Sequence, residues 1–361
     1  MNEESSSIQD FKKIIKSISP ILVKVRKTSI NIGLSKDFLL VQLLKSAIKK
    51  IEDDPYLNFI SELKYYKVYG KLIHGPIEVI HRDINKYYMM DFFDSYKLYE
   101  LVKADIEWVY QRNKKIKVSI HKSGYIIYDN YKKNKFNTLL LTIHSGTWLP
   151  DKIEEMQSIT EEERHLEEDI DIHKIYSPLV LENAGIWIDN KLSRFACDYN
   201  RSEEKAIYKD LSEEWISKLW KTDINNKQTK KLLKGHKNFY LALTSLVNSY
   251  HFNIIFDGHS MKDAKNRAEL SFGTKFIPKF YMPVVRSMKE NFLKRGFEDV
   301  AFDKPFVGGH ILEWLSQKYP NIFICSMEVN KKLYMNSSRT MSFDKKIQTL
   351  SKNIVEVFDI K

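Results

Sequence analysis

The chain has little cysteine and lacks long apolar stretches. Its 361 residues include two cysteines, Cys197 and Cys325, and neither belongs to a Cys-x-x-Cys motif. This scarcity excludes a disulfide framework and favours a reducing compartment. No segment reaches the roughly eighteen uncharged apolar residues of a membrane span, and the N-terminus, MNEESSSIQD, is too acidic and polar for a signal peptide. We therefore predict a cytoplasmic protein without a membrane partner.

The basic charge of the chain has no Arg-rich tail and no aromatic RNA-binding motif beside it. Lys and Arg number 58 and Asp and Glu 47, which gives a net charge of +11. The excess is spread as lysine pairs, which is typical of a solvated surface, so nucleic acid is not the expected partner. A basic chain also suits small carboxylate substrates. The length allows one large domain, or one of roughly 220 residues plus a smaller one.

The N-terminal part of the chain shows helical periodicity but no motif that carries chemistry. Ser35 is placed to cap a helix, and a second apolar period covers residues 96–110. Glycine and proline interrupt residues 65–83, which predicts a connector between helices. We predict a mostly helical N-terminal extension or domain over residues 1–113 and a second domain over residues 114–361.

The second domain has the pattern of an α/β fold. Apolar and polar residues alternate over residues 115–130 around a turn that contains glycine, which indicates a β-hairpin. From residue 150 onward, strand-like and helical segments alternate along the chain. This order predicts a mixed, mainly parallel sheet flanked by helices.

Local signals place several elements within this domain. Thr160 and Glu163 have the spacing of a capping box, and Thr229 is a candidate N-cap for a long helix. The short apolar segments 186–188 and 195–197 are candidate strands.

Three apolar runs lead into side chains that can do chemistry. They are the run 139–143 before His144, the run 252–256 before Asp257-Gly258-His259, and the run 321–327 before Glu328. Parallel strands bring their carboxyl ends to one edge of a sheet, so we expect these groups to converge. Taken alone, His144 fits a metal ligand, a general base or a buried structural histidine. Together the three groups favour a catalytic zinc site, in which a glutamate activates water.

The segment RFACDYNRS, residues 194–202, places two arginines around an aspartate and an asparagine. Arginine binds carboxylates with two parallel hydrogen bonds, so this segment suits an acidic substrate. A surface loop with an internal salt bridge explains the same residues equally well.

Six motifs in order resemble the N-formylglutamate amidohydrolase family, over roughly residues 139–336. The matching segments are HSGTWLP (144–150), EEDIDIHKIY (167–176), SRFACDYNRS (193–202), DGHSM (257–261), PFVGGH (305–310) and MEVNKKLYM (327–335). The resemblance implies the zinc carboxypeptidase-like and aspartoacylase-like fold.

The resemblance also implies a set of metal ligands. His144 and His259 match the metal-binding histidines, and Asp169 is the expected third ligand, with Glu168 or Asp171 as alternatives. Zn²⁺ is the expected ion, and another divalent metal remains open because two histidines and a carboxylate discriminate weakly.

The resemblance further assigns catalytic and substrate-binding residues. Glu328 matches the general base that activates the attacking water and later protonates the leaving amine. Arg194 is assigned to catalysis and is a second cationic contact for the substrate. The residues assigned to the substrate are Asn200 and Arg201 at its carboxylate, Asp198 orienting their loop, and Ser145, Gly308 and Gly309 in the pocket.

The chain departs from the family pattern at several points. Lys331-Lys332 replaces the usual arginine of the last motif, and the segment after DGHSM lacks the expected acidic turn. Thr147 occupies the position where relatives outside this family carry a second metal ligand. No part of the pattern covers the first 113 or so residues. These differences leave the substrate open.

The sequence thus predicts a zinc-dependent hydrolase of an amide bond in an N-acyl acidic amino acid, the N-formyl form included, or a related small carboxylate. Two alternatives remain open. One is a zinc peptidase that removes C-terminal residues, and the other is a non-catalytic basic binding protein with a hydrolase-like domain.

Overall fold

The computed structural model describes residues 77–80, 96–121, 123–208, 219–222 and 224–358. The helix predicted after Ser35 lies outside these residues. Within them, nine strands form one sheet: β1 (Ile77–Ile80), β2 (Lys117–His121), β3 (Tyr125–Asn130), β4 (Thr138–Thr142), β5 (Gly185–Asn190), β6 (Ile254–Met261), β7 (Leu270–Gly273), β8 (Val300–Phe302) and β9 (Phe323–Asn330).

Helices cover the sheet. They are α1 (Tyr96–Arg112), α2 (Asp151–Glu154), α3 (Glu161–Glu167), α4 (Ile172–Tyr176), α5 (Asn226–Ser249), α6 (Met282–Lys294), α7 (His310–Lys318) and α8 (Asp344–Phe358). None of the helices in the described residues combines the length and the apolar character needed to span a bilayer.

The sheet is mixed, and its centre is parallel. The strand order is β1-β2-β3-β5-β4-β6-β9-β7-β8. The four central strands β5, β4, β6 and β9 pair in parallel, whereas β3 joins β5, and β7 joins β9, in antiparallel fashion. The prediction of a mixed sheet flanked by helices is confirmed.

The central strands form where the sequence has continuous apolar runs, because both faces of a parallel sheet are covered by helices. Every residue of β4 is buried. The predicted strand ends are wrong by several residues on β6 and β9, which continue through Asp257-Gly258-His259 and through Glu328. The two strands pair along their full length, with His259 opposite Glu328, and this pairing accommodates the polar residues.

The local predictions for the helices have mixed outcomes. The capping box is present, since the Thr160 side chain accepts a hydrogen bond from the Glu163 backbone. Helix α5 begins earlier than expected, because the Asn225 side chain accepts from two backbone N–H groups and caps it in place of Thr229. Residues 195–197 form a turn and not a strand, and the Ser193 side chain accepts from the backbone N–H of Phe195 within it.

Two elements before residue 114 contribute to the same sheet and core. Strand β1 pairs with β2, although glycine and proline nearby predicted a connector there. Helix α1 confirms the predicted helical period, and its buried residues include Val102 and Val109 in the main hydrophobic cluster. The division at residues 113 and 114 stays a prediction.

Candidate active site

The centre of the sheet brings two histidines and a glutamate together. His144 directly follows β4, and His259 and Glu328 lie on the adjacent strands β6 and β9. The imidazole rings of His144 and His259 are 4.9 Å apart between centroids. The convergence that three strand ends predicted is therefore present, although two of the groups lie within strands.

Asp169 completes a buried group with the geometry of a metal site. Ligand atoms of His144, Asp169 and His259 all lie within 4.8 Å of one another. Asp169 Oδ2 is 3.1 Å from His259 Nδ1, and the Ser260 hydroxyl donates to Asp169 Oδ1 at 3.1 Å. The backbone N–H of Asp169 donates to the His144 carbonyl at 3.1 Å, which joins the two ligand-bearing segments.

The neighbouring acids face other partners. Glu168 is buried, and its Oε1 lies 2.7 Å from Arg164 Nη1. Asp171 Oδ1 lies 2.6 Å from Lys174 Nζ. Of the three candidate third ligands, Asp169 is the one whose carboxylate lies beside a histidine of the group.

Each histidine is held by a carboxylate on its other ring nitrogen. His144 Nε2 is 2.7 Å from Asp198 Oδ1, and His259 Nε2 is 2.7 Å from Asp257 Oδ2. Histidines that ligate metals usually donate their second N–H to such a partner. Asp257 was not predicted, although its position two residues before His259 puts both side chains on one face of a strand.

One nitrogen of this group is buried without a hydrogen-bond partner. His144 Nδ1 has no hydrogen-bond partner among the described residues. A buried polar atom of this kind calls for a ligand, and a divalent cation between His144, Asp169 and His259 would use it. The donor set of two imidazoles and one carboxylate therefore fits a metal such as zinc.

The electrostatics of the two histidines differ. Burial lowers the pKa of His144, with the positive charge of Arg194 adding to the effect. Burial also opposes the charged form of His259, but Asp257 and Asp169 outweigh it and raise the pKa of that imidazole. Metal binding needs neutral imidazoles, so a cation at this site would replace the proton that the carboxylates stabilise on His259.

Glu328 is half-buried beside His259. Burial raises the pKa of Glu328 to about 8, and the negative charges of Asp169 and Asp257 act in the same direction, against the effect of His259. A carboxyl group with a pKa near neutrality can exchange protons during a reaction.

Asp198 organises the loop that carries the predicted substrate-binding residues. Besides His144, it accepts from Arg194 Nη2 at 3.2 Å, from the Tyr208 hydroxyl and from the backbone N–H of Asn200 at 2.8 Å. Burial opposes its charge, but His144 and Arg194 hold the pKa of Asp198 well below its ordinary value.

Arg201 and Asn200 differ in how their side chains are placed. The Arg201 side chain is 46% exposed, with Nε 3.6 Å from Asp198 Oδ2, and its guanidinium lies 4.9 Å from the centre of the Tyr208 ring. Asn200 Oδ1 accepts from the backbone N–H of Ile311 at 3.0 Å, at the start of α7. Arg201 is therefore open to a ligand, while Asn200 ties the loop to a helix.

Gly308 and Gly309, which precede α7, are required as glycines for different structural reasons. A side chain on Gly309 would place its Cβ 2.2 Å from Asn200 Nδ2. Gly308 has φ of +122°, in the region that favours glycine. Gly309 thus allows the Asn200 amide to approach the backbone.

Ser145 contributes to the structure of the strand ends. Its hydroxyl lies within hydrogen-bond distance of the Asp189 carboxylate and of the Thr142 and Asn190 carbonyls at 3.0 and 3.1 Å. The side chain is buried, and its hydroxyl is occupied inside the sheet.

Comparison with solved structures finds proteins of similar fold. The chain is similar to an N-formylglutamate amidohydrolase from Ralstonia eutropha JMP134, with a TM-score of 0.54 and 12% identity over 65% of this chain and 95% of that chain. A gene product of Agrobacterium tumefaciens matches with a TM-score of 0.50 and 11% identity over 65% of this chain and 92% of that one. A metallo-carboxypeptidase from Burkholderia cenocepacia matches with a TM-score of 0.37 and 10% identity over 74% of this chain and 69% of that chain.

Sequence comparison gives the family. No curated protein matches the chain. The family model described as N-formylglutamate amidohydrolase matches residues 136–335, which is more than half of the chain and includes every predicted site residue. The chain belongs to the N-formylglutamate amidohydrolase family.

Proposed function

We propose that this protein is a zinc-dependent amidohydrolase that cleaves the amide bond of an N-acyl acidic amino acid. The observation that carries the proposal is the buried His144, Asp169 and His259 group, together with the buried and unpartnered Nδ1 of His144. Membership of the family supports hydrolysis. Zinc and the substrate are inferences of ours from the donor set and from the cationic loop.

His144, Asp169 and His259 would hold the metal. When bound, the ion supplies a Lewis acid that polarises the amide carbonyl and acidifies water. Asp198 and Asp257 keep the two imidazoles oriented through their other nitrogens.

Glu328 would act as the general base and then as the general acid. Its carboxylate takes a proton from the attacking water and delivers it to the nitrogen of the leaving amine. In the metal-free protein, burial and the charges of Asp169 and Asp257 raise the pKa of this carboxyl group, which favours its holding the proton between the two steps. Its position opposite His259 in the sheet directs it to the same place as the metal ligands.

Arg201 would bind the carboxylate of the substrate. Its guanidinium is partly exposed and is positioned by Asp198 and the Tyr208 ring, so its outer nitrogens can form two parallel hydrogen bonds with a carboxylate. Arg194 lies between Asp198 and Tyr208, and we assign its charge to stabilising the oxyanion of the reacting carbonyl.

The proposal is tested by hydrolysis of N-formylglutamate, with N-formylalanine and a dipeptide as comparison substrates, using protein reconstituted with one zinc per chain. We expect release of the amine from the acidic substrate and a loss of about 10²–10⁴ in kcat in Glu328→Gln. The variant should keep its zinc. Cleavage of the dipeptide in preference to the N-formyl amino acids would instead make the protein a peptidase.

A further inference from the structure

Lys331 is a buried lysine whose three acceptors all belong to one turn of the chain. It is 1% exposed. Its Nζ lies 2.6 Å from the Leu166 carbonyl oxygen, 2.7 Å from that of Glu168 and 3.2 Å from that of His165. An ammonium group has three protons to donate, so all of them are directed to these backbone oxygens.

The three oxygens lie at the C-terminal end of α3. The last carbonyls of a helix have no partner within it and carry the negative end of its dipole. Lys331 supplies the missing donors and a positive charge. The arrangement fixes where the helix ends, and Asp169 is the residue that follows the last of these carbonyls.

The peptide group that joins Glu168 to Asp169 is therefore held at both of its polar atoms. Lys331 donates to the carbonyl of Glu168, and the backbone N–H of Asp169 donates to the carbonyl of His144. Lys331 follows the last residue of β9, the strand that carries Glu328. One strand thus bears the proposed base and the cation that orders the segment of the proposed acidic ligand.

The burial of this charge has a cost in stability. An ammonium group loses its hydration when it is buried, and this loss can exceed what its contacts return. Burial in fact lowers the pKa of Lys331 to about 8, against the effect of Asp169 and its acidic neighbours. The neighbouring Lys332 lies in the opposite environment, at the surface. Its side chain is 40% exposed, and its Nζ is 3.7 Å from Glu269.

We propose that Lys331 is a positioning residue for the metal site, which holds Asp169 in place for the cation by fixing the end of α3. The inference rests on the proposed function, because it takes Asp169 as a metal ligand. It also gives a role to the lysine that replaces the usual arginine of the last family motif, since both side chains can donate several hydrogen bonds to carbonyl oxygens.

The experiment measures zinc affinity by competition with a chelator for the wild type, Lys331→Met, Lys331→Arg and Lys332→Met. We expect Lys331→Met to bind zinc about 10- to 100-fold more weakly, as is typical when a group that supports a ligand is removed. Lys331→Arg should lie nearer to the wild type, and Lys332→Met should equal it. Thermal unfolding of each metal-free variant gives the stability separately.

The outcomes separate the two proposals. If Lys331→Met has a lower melting temperature but binds zinc as tightly as the wild type, Lys331 has only a structural role and the inference is wrong. If Lys331→Met does not fold, Lys331→Gln replaces it, and unchanged zinc affinity in that variant has the same meaning. Failure of the wild type itself to bind zinc would remove the proposed function and this inference with it.

Discussion

Asp198 Oδ1 lies 2.7 Å from His144 Nε2, and the opposite nitrogen of the same ring has no partner among the described residues. The carboxylate thus fixes the ring through one nitrogen and leaves the other nitrogen available to a ligand. It also joins the proposed metal ligands to the loop of Arg194 and Arg201, because both arginines contact the same carboxylate. The proposed metal site and the proposed substrate-binding loop thus share this one side chain.

Replacing Asp198 by asparagine should therefore weaken zinc binding. The amide has no charge to stabilise the imidazole, and we expect the dissociation constant to rise about 10- to 100-fold. Chelator competition measures it. The control is Asp263→Asn, which removes an exposed aspartate paired with Arg339 at the surface. Equal zinc affinity in Asp198→Asn and Asp263→Asn would contradict the role given to Asp198.

Three conservative substitutions identify the acidic ligand. Asp169→Asn should lose zinc, whereas Asp171→Asn should retain it, because Asp171 pairs with Lys174 away from the histidines. Glu168→Gln should also retain zinc, but it leaves the buried Arg164 without its ionic partner and should lower the free energy of unfolding by about 3–5 kcal/mol. Elemental analysis and urea unfolding separate these effects. Zinc lost from Asp171→Asn and kept by Asp169→Asn would reverse the assignment.

The burial and pairing of the strands decide which parts of the sheet the sequence could predict. Strand β4 and the position of His144 were predictable because a buried parallel strand is a continuous apolar run. The ends of β6 and β9 were not, since the polar residues of Asp257-Gly258-His259 resemble a loop until the pairing with β9 is known. Asp169 came from the family resemblance, because nothing local distinguishes it from the acids beside it.

The partners of the site residues were harder to predict than the residues themselves. A lysine next to another lysine is typical of a surface, so Lys331 gave no sign of its burial. The role of Asp257 could have been inferred from its spacing to His259. Strand β1 was missed because its partner, β2, lies about 40 residues later in the chain, too far for a local pattern to show.

The stability of the metal-free protein should depend on pH through Lys331. Burial lowers the pKa of this lysine from 10.5 to about 8. Between these values the unfolded chain binds more protons than the folded protein, so the free energy of unfolding should rise with pH. One such group contributes at most about 1.4 kcal/mol per pH unit. The reference is Lys331→Arg, because arginine stays protonated. Urea unfolding at about pH 7 and about pH 9.5 should show that the free energy of unfolding rises more for the wild type than for this variant. An equal change in the two proteins would contradict the prediction.

Gly309→Ala should weaken substrate binding through Asn200. The new Cβ would lie 2.2 Å from Asn200 Nδ2, so the amide must move and the loop of Arg201 with it. We expect KM to rise, with a smaller change in kcat and unchanged zinc content. The double variant Gly309→Ala with Asn200→Ala tests whether the effect passes through Asn200, since two changes that act through one contact are not additive. Fully additive effects on KM would show that Gly309 acts independently of Asn200.

A buried ionic cluster connects α1 to the strand that supports Ser145. Lys191 Nζ lies 2.6 Å from Asp189 Oδ2 and also contacts Asp105 of α1. Burial opposes the charge of this lysine, but the two aspartates outweigh it and raise its pKa. Lys191→Met would leave both carboxylates buried without their cation, which costs about 3–5 kcal/mol in the free energy of unfolding.

The matched control for Lys191 is Lys262→Met. That lysine is 45% exposed and lies 3.1 Å from Glu167 at the surface, and exposed pairs contribute about 0–1 kcal/mol. Urea unfolding compares the two variants in metal-free protein. If both lose equally little stability, the cluster does not hold α1 to the sheet. A large loss confined to Lys191→Met would show that this helix, which lies before residue 114, supports the strand ends at which the proposed metal site is built.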